Sequence, residues 1–201
     1  GHRKLQILAH RHAEALRLVA VDRDGKVGRA SRRGRRAALI LDPRFREVAP
    51  TPFASSIYFF AEGLMLAGSA AEKSALLPKV ADGSAIGCFA VSEGPGAPTA
   101  QSVSAVFDGQ TLTGVKIPVA DGDVATHALV AAKEGAGVSI VLVDLSGPGV
   151  TRAPVKTLDP TRSHAKLSFD KAKAERVGGV GEGWALCEAI LDRAAVLLAF
   201  E

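Results

Sequence analysis

The hydrophobic pattern of this chain changes period between Ala81 and Ser84, and that change limits the folds open to it. Before the break, the patterned segments carry apolar residues at helical spacing. From Ile86 onward, they are short apolar runs cut by turn residues. A Gly/Asp/Ser loop at such a break reads as a domain boundary. The chain is therefore α+β, with helices first and a strand-rich region after.

The strand region is regular. Ile86 to Val91 forms a nearly continuous apolar strand that ends in Ser92-Glu93, and Gly94-Pro95-Gly96-Ala97-Pro98 follows. A ligand is expected where that strand stops. Val103 to Phe107 and Leu112 to Val119 flank Asp108-Gly109, a strong hairpin signal. Asp121-Gly122-Asp123 marks a further turn. Ala128 to Ala132, Val138 to Asp144, Val150 to Val155 and Ala165 to Phe169 complete the set. Short strands with frequent turns and no intervening helix predict an antiparallel barrel or sandwich.

Helices flank this region. Leu5 to Val19 has helical spacing, and Ser55 to Ala67 reads as a buried helix despite Gly63. Ser69 is a predicted N-cap, with Glu72 at capping-box spacing. Ala70 to Val80 follows as a second helix, with Lys73 and Lys79 outside and Leu76 and Leu77 inside. Gly178 to Gly183 is expected to be a flexible link. Trp184 to Glu201 is helical again, with Leu186, Ile190, Ala194, Leu197 and Leu198 near one face. No stop signal ends it, and its apolar face needs a partner surface. A truncated protein or an obligatory partner is the expectation.

Charge divides the chain unevenly. Residues 1–46 hold 13 basic side chains against four acidic ones, whereas residues 47–201 hold 12 against 17. The cluster Arg32-Arg33-Gly34-Arg35-Arg36 could contact phosphates, but no aromatic residue interleaves it to stack on bases. It reads as a solvated basic segment, with anion or nucleic-acid binding as the minor alternative. No apolar run reaches the roughly 18 residues of a membrane span, and no secretory h-region opens the chain, so a cytoplasmic protein is expected. Cys88 and Cys187 sit in apolar elements with no metal-site spacing and read as buried thiols.

Five stretches, taken in order, resemble the acyl-CoA dehydrogenases. They are Gly68-Ser69-Ala70-Ala71-Glu72-Lys73 leading to Leu77-Pro78 and Ala81-Asp82-Gly83; Gly87-Cys88-Phe89-Ala90-Val91-Ser92-Glu93; Leu112-Thr113-Gly114-Val115-Lys116 with Asp121-Gly122; Val143-Asp144 with Pro148-Gly149-Val150; and Leu158-Asp159-Pro160-Thr161-Arg162-Ser163 ending in Phe169-Asp170. Gly181-Glu182-Gly183-Trp184 and the Asp192-Arg193-Ala194-Ala195 helix extend the likeness to about residues 49–201. The resemblance implies N-terminal helices, an antiparallel β-barrel middle domain and the start of a C-terminal helical bundle. The expected divisions are a basic segment at 1–48, a helical remnant at 49–83, a flavin and acyl-CoA barrel at 84–176, and a linker with the first helix of a truncated bundle at 177–201. Ala49-Pro50-Thr51-Pro52-Phe53 and the run from Ala81 to Gly87 resemble the actinobacterial branch linked to steroid or lipid catabolism, some of whose members are heteromers.

The resemblance also implies chemistry. A carboxylate removes the α proton of an acyl-CoA thioester while the β hydride passes to FAD, and a flavoprotein accepts the electrons. A homo- or hetero-oligomer with a homologous subunit is expected. Ala90, Val91 and Ser92 occupy the positions that contact the flavin from one strand, with Val119 and Ala120 on the next. Pro98 and Thr99 stand near the family's ligand-contacting serine. Asp192 falls where some members carry the catalytic base, and Arg193 resembles a position used for CoA phosphates. The second flavin strand departs from the family pattern: Pro118 replaces a tryptophan and Ala120 a threonine. An inactive homologous subunit completing a heteromeric enzyme is therefore the alternative reading.

Overall fold

The computed structural model describes residues 52–158 and 162–199, with the backbone of 20–21 and 27–28. The predicted helix at 5–19, the cluster at 32–36 and residues 159–161 lie outside these. Strands β1 (Ala20–Val21) and β2 (Val27–Gly28) pair antiparallel within the basic segment.

The first buried helix forms in two parts. Ala54–Ala61 is π-helical and runs directly into α1, Glu62–Ala67. Helix α2 spans Ala70–Asp82. Its capping box forms as the sequence predicts: Glu72 N donates to Ser69 Oγ at 3.2 Å, and Ser69 N donates to Glu72 Oε2 at 2.6 Å. These bonds satisfy two donors that a helix start otherwise leaves unpaired. Helix α3, Gly183–Leu198, buries Gly183, Cys187, Ile190 and Ala194 at helical spacing. That face is covered within the chain, by the π-helical segment, α1 and the barrel strands.

The strands close into a barrel. They are β3 (Gly87–Ala90), β4 (Val106–Phe107), β5 (Thr111–Ala120), β6 (His127–Glu134), β7 (Gly137–Asp144), β8 (Val150–Pro154) and β9 (His164–Val177). Neighbours run β6–β7–β9–β5, and β8 pairs with β9. The gap between β5 and β6 is filled by β3 and β4 in series. Val106 pairs with both Thr113 and Lys133, and Glu93 bridges Ile117. The wall is antiparallel except where β3 and β4 lie parallel to β6 and at the parallel Glu93–Ile117 bridge.

Asp108 shapes the β4–β5 hairpin as its sequence signal implies. Its Oδ1 accepts from Gln110 N at 2.9 Å and Thr111 N at 2.6 Å, and Gly109 takes φ 98°. Strand β9 is far longer than Ala165 to Phe169. Past a bulge at Lys171, alanines and Val177 continue inward while Lys173, Glu175 and Arg176 point out.

Two apolar layers result. Inside the barrel, Cys88, Ala90, Leu112, Val130, Leu167 and Phe169 form one cluster. Between wall and helices, Phe60, Leu64, Leu129, Ile140 and Cys187 form a second. Helix and strand meet closely at Gly87, where any Cβ would overlap the Phe60 ring. Ser56 stitches the same junction: its Oγ accepts from Gly87 N at 3.2 Å.

Candidate functional site

The ends of β3 and β5 form one continuous wall. Ile117 N donates to Ser92 O at 2.8 Å. Lys116 Nζ donates to Val91 O at 3.1 Å and to Glu93 Oε1 at 2.6 Å. Glu93 also accepts from Ser104 N at 2.8 Å, Ala105 N at 3.0 Å and the Ser104 hydroxyl. The Lys116 side chain is fully buried, so its charge needs this partner. Burial pulls the Lys116 ammonium below the ordinary lysine range, against the opposing pull of Glu93. For Glu93, burial pushes upward, but Lys116, Ser104 and Ala105 together hold the carboxyl below its usual value. The pair thus fixes the carbonyl line of Val91 and Ser92 rather than offering a free acid or base.

A second polar cluster anchors the far end of β5. Asp121 sits at φ 56°, in the left-handed region that Asp tolerates better than most residues. Ser55 Oγ donates to its Oδ2 at 2.6 Å, tying the π-helical segment to the barrel. Asp121 N donates to Ser163 O at 2.9 Å, and the Ser163 hydroxyl lies between Asp121 and Asp123, at 3.2 and 2.6 Å. Burial raises the Asp121 carboxyl above its ordinary value, against the lowering by Ser55 and Ser163.

The predicted contacts fall on this wall in part. Ala90 and Val91 are buried, and Ser92 is half-buried. Val119 is buried opposite Ala165, and Ala120, half-buried, is opposite His164. The register with β9 shifts between Lys116 and Val119, around Pro118, which has no N–H for the ladder. Pro98 and Thr99 lie in the loop after β3, where the Thr99 hydroxyl accepts from Ser102 N at 3.1 Å. Asp192 is exposed on α3. Arg193 is exposed beside it and reaches Glu62 Oε2 on α1 at 3.2 Å. Both cysteines are buried as expected; burial pushes the Cys187 thiol up to about 12 and raises that of Cys88 as well.

Sequence reasoning did not single out Lys116, Asp121 or His164 as site residues. A lysine within an apolar strand was the available signal for the first. A concave region of about 420 Å³ lies at the start of β6, between Lys79, His127, Asp144 and Arg152, with Asp123 of the second polar cluster in its lining. Arg152 is engaged there with the Ala125 and Asp123 carbonyls, at 2.8 and 3.3 Å.

No protein-family model matches the chain, and no curated protein matches it. Solved structures do. A glutaryl-CoA dehydrogenase from Mycobacterium smegmatis, in complex with FADH2, is 26% identical, with TM-score 0.64 over 70% of this chain and 39% of its own. The Tcur3481–Tcur3483 steroid ACAD is 31% identical, with TM-score 0.62 over 73% of this chain and 39% of its own. In fold and sequence this chain is similar to the acyl-CoA dehydrogenases. An acyl-CoA dehydrogenase from Geobacillus kaustophilus, 25% identical at TM-score 0.63 over 69% of this chain, agrees. The chain spans about two fifths of the length of these family members.

Proposed function

We propose that this chain forms the flavin-bearing wall of an acyl-CoA dehydrogenase and takes part in the α,β-dehydrogenation of an acyl-CoA thioester. The observation that carries the reading is the β3–β5 junction: two strand ends locked by the Ile117–Ser92 bond and the buried Lys116–Glu93 pair. Such a junction presents a fixed row of backbone groups, which is what placing a planar cofactor requires. The Ser92 hydroxyl, half-buried and without a protein partner among the described residues, fits a ligand polar edge there. FAD would supply the hydride acceptor. Ala90, Val91, Ser92, Val119 and Ala120 would hold its ring.

The remaining roles belong to the same proposal. Pro98, Thr99 and Arg193 would face the acyl-CoA. Asp192 is the candidate base, and a homologous subunit and an electron-accepting flavoprotein are the partners. The divisions at residues 83 and 176 follow the change from helix to barrel and back. The 31% identity to a steroid ACAD supports a steroid or lipid substrate over a short-chain one. A cytoplasmic setting goes with these partners.

Pro118 and Ala120 favour a second reading: an inactive subunit that completes the flavin site of a heteromeric enzyme. The exposed Asp192 agrees with it, since a base must sit within reach of substrate. Visible absorbance of the purified chain with added FAD, alone and then with an acyl-CoA, separates the two. A bound flavin spectrum that bleaches supports the enzyme. A bound spectrum that acyl-CoA leaves unchanged supports the subunit. A protein that takes up no flavin by itself contradicts the enzyme reading.

A further inference from the structure

We infer that His164 makes the side-chain hydrogen bond to the flavin that Ala120 cannot make. The inference rests on the flavin reading above and names a residue to which the family resemblance assigned no role. His164 and Ala120 are directly paired across β5 and β9, one step from the Val119–Ala165 pair. Val119 and Ala165 point into the barrel core. Ala120 and His164 therefore share the outer face, with Cβ atoms about 5 Å apart. Across the wall, the Ser92 strand end, the Ala120 strand and His164 lie on three neighbouring strands.

The His164 Nδ1 atom is buried and has no hydrogen-bond partner among the described residues. Buried polar side-chain atoms are nearly always paired, and an exception needs an explanation. Its polar neighbours are already committed: the Ser163 hydroxyl to Asp123 and Asp121, and Asp121 also to Ser55. The backbone around it is fixed, because His164 O accepts from Val155 N at 2.8 Å. An imidazole held in this way can donate or accept, according to its tautomer. A flavin ring edge carries both kinds of group. His164 thus restores, from the adjacent strand, a polar contact beside the position where β5 has only a methyl.

The test is FAD titration of the full chain and of three variants, read by quenching of flavin fluorescence. His164→Ala should weaken binding about tenfold. His164→Asn, whose amide lies near the Nδ1 position, should stay within about threefold of wild type, while His164→Gln, which mimics Nε2, should resemble the alanine variant. Nitrogen-15 spectra of the wild type should show the Nδ1 resonance move when FAD is added. Far-UV circular dichroism and the thermal midpoint report whether each variant folds. If the alanine variant does not fold, the Asn and Gln variants and the wild-type resonance decide. Wild-type binding of FAD with an unmoved Nδ1 resonance and equal affinities overturns this inference alone. Failure of the wild type to bind FAD overturns the flavin reading together with it.

Discussion

Lys116 is the residue on which the wall depends. Its ammonium is buried, and its partners are one carboxylate and one carbonyl. Lys116→Met leaves Glu93 without its cation and Val91 O without its donor. Breaking a buried pair from one side costs about 3 kcal/mol, so urea unfolding should show a loss of that order. The double variant Lys116→Met with Glu93→Gln should recover part of it. Asp121 gives a pH prediction. Its folded-state pKa is raised above the ordinary aspartate value, with burial as the largest cause. The folded state therefore holds the proton more tightly. This contribution to stability is fully present below the unfolded pKa and is lost as pH rises through the folded one. Asp121→Asn keeps the left-handed backbone and the hydrogen-bonding shape but does not titrate. The wild type's thermal midpoint, relative to the variant, should fall as pH rises from below the ordinary aspartate pKa toward neutrality. A flat difference would contradict this.

At the scale of elements, local chemistry was legible where a short motif dictates it. Ser69 and Glu72 announced α2, and Asp108-Gly109 announced the β4–β5 hairpin, because each closes hydrogen bonds within a few residues. Ser69→Ala should cost about 1 kcal/mol, read as a lowered unfolding midpoint. The full length of β9 was not legible. Past Lys171, its inward positions are alanines and one valine, set among Lys173, Glu175 and Arg176, so the apolar signal is weak. The π-helical character of Ala54–Ala61 has no sequence signature either. It is fixed from outside, by Ser55 on Asp121 and Ser56 on Gly87, contacts that span 66 and 31 residues. Gly87→Ala tests that junction. The new methyl meets the Phe60 ring, and overpacking of this kind costs about 1–3 kcal/mol. Unfolding of the variant should shift accordingly.

At the scale of the molecule, the succession of helices, strand region and final helix was readable from periodicity and turn signals, while the choice of barrel over sandwich came from the family resemblance. The site was readable only in its backbone. Ser92, Val119 and Ala120 could be placed by motif order, but the pairing that sets His164 opposite Ala120 is a matter of strand register. Register follows from long-range contacts that no local spacing encodes. The apolar face of α3 was expected to await a partner, and the fold covers it with the π-helical segment and the barrel strands. The central claim is that the β3–β5 wall is where the cofactor rests. Amide hydrogen exchange of the full chain, followed residue by residue with and without FAD, tests it most directly. Exchange should slow at residues 90–93, 117 and 119–121. FAD-dependent protection confined to the region around Lys79, His127 and Arg152, with no change at those strand ends, would contradict the account.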